Sequence, residues 1–225
     1  MQIPHPIEAV IFDLDGTLVR TEPVHCEAWL QILARRGFQY DEEWFEQWIG
    51  TADRFLAQSV IDEHKLTIPP RTLQKEKEML FHELVVNENQ AFPGIEAGLQ
   101  SLQAHLPLAI ATNSAERDTF FVFQSTPIRT YMQAVFTADD VQELKPAPEM
   151  YLLAARHLGV RPEACLVMED SPAGSLAARR AGMYVIGLTS SQPKSKMTTA
   201  HEWWDRPQAG MERIVNLVEQ VKQRP

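Results

Sequence analysis

Residues 10–18 read Val-Ile-Phe-Asp-Leu-Asp-Gly-Thr-Leu, an apolar run that stops on two carboxylates spaced two apart and then a glycine. Three apolar residues in succession suit a strand buried on both faces of a sheet. Asp13 and Asp15 are a poor way to finish such a strand, because a carboxylate taken out of water without a partner is costly. An Asp-x-Asp-Gly turn at the end of a core strand therefore calls for a cation. Asp and Gly are also ordinary turn residues, so the rest of the chain has to decide.

The pattern recurs. Residues 106–111 form an apolar run ending on Thr112-Asn113-Ser114, residues 134–136 lead into Thr137-Ala138-Asp139-Asp140, and residues 165–168 end on Glu169-Asp170-Ser171. A last strand is predicted over residues 184–188, after the first at 7–12. Helical periodicity fills the intervals at 95–105, 115–125, 148–158 and 172–181, with a closing helix at 211–222. Strands alternating with helices imply right-handed crossovers, so the expected fold is α/β: a Rossmann-like parallel sheet with helices on both faces. Ligands of such sheets collect outside the carboxyl ends of the strands. Asp13, Asp15, Thr112, Asn113, Glu169 and Asp170 then share one edge.

Residues 22–86 follow a different regime, with helical spacing, charged faces and no convincing strand. Gly37 suits the end of a first helix, Asp41 caps a second running through Trp48, Thr51 opens a third running through Ile61, and Pro69-Pro70 starts a fourth ending near Asn87. Helices interrupting an α/β pattern suggest an inserted domain, here four helices over residues 18–89 within a core of 1–17 and 90–225. Residues 189–200, rich in Ser, Thr, Gln and Lys, read as a mobile loop. Trp203-Trp204 is expected to lie half-buried under the last helix.

Charge narrows the chemistry. The net charge is -9 and no basic stripe stands out, which argues against nucleic-acid partners. No apolar run approaches membrane length, and the start shows no leader pattern. Cys26 and Cys165 are far apart, so reduced thiols and a cytoplasmic protein, monomeric by default, are expected. Two carboxylates about 4 Å apart repel by about 4 kcal/mol at an effective dielectric near 20, so clustering Asp13, Asp15, Glu169 and Asp170 needs compensation. Lys145 supplies one positive charge. A divalent metal would supply the rest, and an all-oxygen donor set favours Mg²⁺.

Asp13-Leu14-Asp15-Gly16-Thr17-Leu18, Thr112-Asn113-Ser114, Lys145-Pro146-Ala147-Pro148 and Glu169-Asp170-Ser171-Pro172-Ala173-Gly174 together resemble the four motifs of the haloacid dehalogenase-like hydrolase superfamily. The helical insert resembles that family's cap, and Thr21-Glu22-Pro23 with His25 and Ala28-Trp29 resembles its β-phosphoglucomutase-like branch. The resemblance implies Asp13 as nucleophile, Asp15 as general acid and base, Thr112 and the Asn113 N–H on a phosphate oxygen, and Lys145 as neutralising cation. Ser114 joins the substrate-binding group. Mg²⁺ would be bound by Asp13, the main-chain carbonyl of Asp15 and Asp170, with Glu169 either ligating or supporting the ligands.

The implied activity is a Mg²⁺-dependent phosphatase acting on a small phosphorylated metabolite, by preference a sugar phosphate, through an aspartyl-phosphate. A β-phosphoglucomutase-type mutase is the alternative. A dehalogenase would need no metal and no second acid. A phosphonatase would present a Schiff-base lysine that Lys65, Lys75 and Lys77 do not match. Where the branch commonly has Asp-Ser-Glu or Asp-Thr-Glu, this chain has Arg20-Thr21-Glu22, so Arg20 is a candidate contact for an anionic substrate group or an exposed hinge residue. His25 reads equally as a cap-closure residue or a surface histidine, and Arg54 is a further candidate substrate clamp.

Overall fold

The computed structural model describes residues 6–49, 53–189 and 191–222. The chain divides into two compact units, Met1–Arg20 with Gln90–Pro225, and Thr21–Asn89. The first division falls after Arg20 because the turn beyond β1 is tied to the returning chain. Val19 bridges both Asp15 and Ala91, and the Arg20 N–H donates to Gln90 O at 2.7 Å.

The Thr21–Asn89 unit is helical throughout its described residues: α1 (Glu22–Ala34), α2 (Glu42–Glu46), α3 (Asp53–His64) and α4 (Pro70–Val85). Asp41 caps α2 by accepting the Trp44 N–H at 2.8 Å, and Pro70 opens α4, where a missing N–H costs nothing. The unit buries Trp29, Ile32, Leu33, Leu73 and Phe81. The Lys77 ammonium is also interior; it pairs with Asp53 at 2.7 Å, and Asp53 in turn accepts the Trp29 indole N–H at 3.0 Å. Helix α2 stops at Glu46, short of Trp48, which lies in the following turn. The expected start at Thr51 lies outside the described residues, within which α3 begins at Asp53.

The other unit carries β1 (Ala9–Phe12), β2 (Leu108–Ala111), β3 (Ala134–Phe136), β4 (Cys165–Glu169), β5 (Tyr184–Leu188) and β6 (Glu202–Trp204) in a sheet of order β3-β2-β1-β4-β5-β6, every neighbouring pair parallel. Its helices are α5 (Ile95–Gln103), α6 (Glu116–Ser125), α7 (Glu149–Leu158), α8 (Pro172–Arg180) and α9 (Pro207–Lys222). Successive strand residues point to opposite faces. Ala9, Ile11, Ala109, Ala111, Cys165, Val167 and Val185 meet α7 and α8 through Met150, Tyr151, Ala154, Ala177 and Ala178. The alternate residues Met168, Ile186 and Leu188 meet α9, where a Cβ on Gly210 would stand 2.9 Å from Leu188 Cδ2 and 3.2 Å from Met168 Sδ. Helices therefore cover both faces, which is why β1, β2, β3 and β5 carry no charged residue.

Several expectations change, and β1 starts at Ala9 rather than 7. Strand β2 starts at Leu108 rather than 106, because Pro107 has no N–H and instead offers its carbonyl to Val10 N at 3.2 Å. Helix α9 starts at Pro207 rather than 211. Trp203 and Trp204 are half-buried in a sixth strand that continues the sheet beside β5 and packs against α9, so a strand is added to the expected cover by the last helix. The segment before them is anchored: Met197 is fully buried and the Ser175 and Thr199 hydroxyls bond at 2.7 Å.

Candidate active site

The chain leaves β1, builds β2 and β3 on one side, and returns to β4 on the other. β1 is therefore the strand at which the order reverses, where open α/β sheets place their ligands. Phe12 is level with Ile110 and with Met168, so the residues just beyond fall side by side. The Asp13 N–H still donates to Met168 O at 3.0 Å, and the Thr112 N–H to Phe136 O at 2.9 Å. Asp13, Thr112 and Glu169-Asp170 thus stand on adjacent strand ends because the ladder holds them there.

Lys145 enters from the loop between β3 and α7. Its ammonium donates to Asp13 Oδ1 at 2.6 Å and to Glu169 Oε1 at 2.8 Å. Its backbone N–H donates to Asn113 Oδ1 at 3.1 Å, which ties the loop to the end of β2. Glu169 is fully buried and takes four donors: Lys145, the Tyr151 hydroxyl at 3.2 Å, and the Ser171 N–H and hydroxyl at 2.7 and 2.9 Å. Ser171 also caps α8 by accepting the Gly174 N–H at 3.0 Å. Asp170 accepts the Thr17 hydroxyl at 3.2 Å. Asp15 is more open, and its Oδ2 accepts the Ser114 hydroxyl at 2.6 Å.

Gly174 has little choice of residue. A Cβ there would sit on Glu169 Oε1, well inside contact distance, and Glu169 is pinned by its four donors. Gly174→Ala is expected to cost about 2 to 3 kcal/mol, the upper range for overpacking a filled interior, read as a lowered denaturation midpoint in urea. An unchanged midpoint would mean that Glu169 is free to move.

Oxygens of Asp13, Glu169 and Asp170 all lie within 4.8 Å of one another. Three buried carboxylates share one ammonium, which leaves an excess of negative charge. Burial is the largest influence on Asp170 and, with the Glu169 charge, pushes its carboxyl up to about 7 against the Thr17 and Ser191 hydroxyls. Burial likewise raises Asp13 well above the carboxylate range, with Lys145 opposing and Glu169 and Asp170 adding to it. Burial also works against the Lys145 ammonium, but Asp13 and Glu169 outweigh it and hold the group charged. The Tyr151 hydroxyl is pushed up by burial and by Glu169, so it stays a donor.

An all-oxygen cluster with surplus negative charge fits a hard divalent cation. Such a cation must displace the proton that Asp170 holds near neutrality. Metal binding at pH 7 is therefore expected to release protons and to weaken as the pH falls below about 7. Calorimetry in two buffers of different ionisation enthalpy checks this, and equal heats in both would contradict it.

The structure thus gathers Asp13, Lys145, Glu169 and Asp170 into one contact set, with Thr112 beside them and Asn113 and Ser114 bonded to Lys145 and Asp15. Asn113 contributes its side chain to that loop, and Ser114 spends its hydroxyl on Asp15. Arg20 is exposed on the same unit. His25 and Arg54 belong to the helical unit. His25 stacks on Phe81 at 4.1 Å with its Nδ1 2.6 Å from Lys77 Nζ, and the Arg54 guanidinium lies 4.7 Å over its neighbour Phe55. Thr17 and Tyr151 were not singled out from sequence. Thr17 carried a signal, being a hydroxyl two residues beyond Asp15.

Comparison with known proteins agrees with this geometry. The sequence profile of the haloacid dehalogenase-like hydrolases matches residues 10–188. The fructose-1-phosphate phosphatase YqaB of Escherichia coli (strain K12) is 34% identical over 179 residues, 80% of this chain and 95% of that protein. A phosphorylated carbohydrates phosphatase of Thermotoga maritima is 32% identical over 182 residues, 79% of this chain and 82% of that protein. Among solved structures, a CbbY from Rhodobacter sphaeroides in complex with xylulose-(1,5)bisphosphate aligns with a TM-score of 0.77 at 26% identity, covering 91% of this chain and 99% of that one. With a matching profile across most of its length and relatives of this similarity, the chain belongs to the haloacid dehalogenase-like hydrolases.

Proposed function

We propose that the protein is a Mg²⁺-dependent phosphatase that hydrolyses a small phosphorylated metabolite, a sugar phosphate, through an aspartyl-phosphate on Asp13. The observation that carries the reading is the Lys145 ammonium held between Asp13 and Glu169 beside Asp170 at the carboxyl end of β1. An ammonium on the nucleophile, next to a cluster that fits a divalent cation, is an arrangement for neutralising a phosphoryl group. The phosphatase names of the relatives from Escherichia coli and Thermotoga maritima support hydrolysis over mutase chemistry.

In this reading an Asp13 carboxylate oxygen attacks phosphorus and the bond from phosphorus to the sugar oxygen breaks. Asp15 gives its proton to that departing oxygen. The resulting Asp15 carboxylate then takes a proton from water, whose oxygen attacks phosphorus. The phosphorus bond to Asp13 breaks, releasing inorganic phosphate and restoring the nucleophile. The Ser114 hydroxyl donates to Asp15 Oδ2 and so orients the carboxyl. Thr112 and the Asn113 N–H hold phosphate oxygens, and Lys145 neutralises both phosphate and nucleophile. Bound at Asp13, Asp170 and the main-chain carbonyl of Asp15, Mg²⁺ would supply further charge neutralisation, with Glu169 supporting the set.

We assign the helical unit, Thr21–Asn89, as a cap and substrate choice to its residues His25 and Arg54, with Arg20 of the other unit, as the contacts to test. Two free, buried thiols, Cys26 and Cys165, support a cytoplasmic setting. No described helix is long and apolar enough to cross a membrane. A monomer is part of the reading and is checked by sedimentation.

Hydrolysis of p-nitrophenyl phosphate tests the reading. Activity is expected with Mg²⁺, to fall by about a hundredfold or more in EDTA, and to return on adding excess Mg²⁺. Full activity in EDTA would overturn metal dependence. A panel of sugar phosphates then ranks substrates. Conversion of a sugar 1-phosphate to its 6-phosphate without free phosphate would favour the mutase instead.

A further inference from the structure

Tyr151 belongs to none of the residue sets that mark the site, yet it touches the centre of it. It is the third residue of α7 and is fully buried. Its hydroxyl donates to Glu169 Oε1 at 3.2 Å, the same oxygen that takes the Lys145 ammonium at 2.8 Å. The ammonium also lies over the Tyr151 ring, 5.0 Å from its centroid. One side chain therefore meets both the cation and the carboxylate opposite Asp13.

We propose that Tyr151 is a positioning residue that aims the Lys145 ammonium at Asp13, a role that rests on the phosphoryl-transfer reading above. A lysine is a compact charge on a flexible four-carbon stem, so burial alone does not fix its direction. Glu169 fixes it only if its own carboxylate is fixed. Oε2 is pinned by the Ser171 N–H and hydroxyl, and Oε1 is pinned by Tyr151. The ring face adds an electron-rich surface on a further side of the ammonium, an attraction that strengthens when water is excluded. Packing of α7 on the sheet is thereby transmitted through Tyr151 and Glu169 to Lys145, and from Lys145 to the nucleophile.

Two substitutions separate the hydroxyl from the ring. Tyr151→Phe keeps the ring and shape but removes the donor, and is expected to lower kcat for p-nitrophenyl phosphate about tenfold while KM changes less than about twofold. Tyr151→Leu removes both and is expected to lower kcat about a hundredfold. A readout independent of turnover is the ¹⁵N–¹H resonance of the buried Lys145 ammonium in lysine-labelled protein, assigned by its loss in Lys145→Met. It is expected to carry a ring-current shift that persists in Tyr151→Phe and disappears in Tyr151→Leu. Wild-type kcat in both variants, or a KM rise at unchanged kcat, overturns the role, and so does an unmoved ammonium resonance in Tyr151→Leu. A wild-type protein that hydrolyses no phosphate ester overturns the phosphatase reading instead, while the resonance still decides whether Tyr151 holds the ammonium.

Discussion

Asp13→Asn is expected to give a folded protein whose phosphatase turnover is lower by about 10⁴- to 10⁶-fold, the scale of loss when a covalent nucleophile is removed. The amide nitrogen cannot form the acyl phosphate, and the amide oxygen is too weak a nucleophile to replace the carboxylate. The fold has no reason to suffer. Asn keeps an oxygen where Asp13 Oδ1 accepts the Lys145 ammonium at 2.6 Å, and Lys145 retains Glu169 at 2.8 Å. One of three clustered buried carboxylates becomes neutral, which relieves the repulsion that helps hold Asp13 above its usual range. Without metal the variant is therefore expected to melt at or above the wild-type temperature. Kinetics and a thermal scan in EDTA check the two halves, and retention of even a tenth of the activity would remove Asp13 from the nucleophile's place.

The same charges explain how much was legible in the sequence. Asp13, Thr112 and Glu169-Asp170 could be found because each ends an apolar run, and a parallel sheet forces the ends of its strands together. Lys145 follows no apolar strand run, so from residue chemistry it was legible as a compensating charge, and its place came from the resemblance of Lys145-Pro146-Ala147-Pro148 to a family motif. Tyr151 was invisible because an aromatic at the start of an amphipathic helix looks like core, and it is core; the hydroxyl's target, Glu169, is 18 residues away. Strand β6 was missed because Glu-Trp-Trp is too short to show a period of two. The first turn of α9 falls before the expected start at 211; it carries Gly210, a weak helix former that lets the turn approach Leu188 and Met168. Local sequence reports periodicity and cost. Which buried partner meets the cost is decided by contacts that are long-range in the chain.

Lys145→Met makes that cost measurable. Lys145 is buried, and the methionine that replaces it leaves Asp13, Glu169 and Asp170 with no cation among them. Breaking a buried pair by removing one partner costs about 3 to 5 kcal/mol, and turnover is expected to fall by about 10³-fold with the lost electrostatic stabilisation. The sign of the pH dependence follows. Burial already holds Asp13 and Asp170 above their unfolded values, and losing the ammonium that lowers both raises them further, so the folded protein binds more protons than the unfolded chain and its stability falls as pH rises from about 4 towards neutrality. Divalent metal opposes this, adding about 2.7 kcal/mol at a hundredfold excess over Kd, so the Tm difference from wild type should be largest in EDTA near neutral pH and shrink with metal. Adding Glu169→Gln removes the carboxylate left opposite the vacated ammonium. The double variant is then expected to be less destabilised than the sum of the single changes, since deleting both partners of a buried pair spares the penalty of an unpaired charge. Additive losses across that cycle would mean that Lys145 and Glu169 are not coupled, and that the ammonium is held by Asp13 alone.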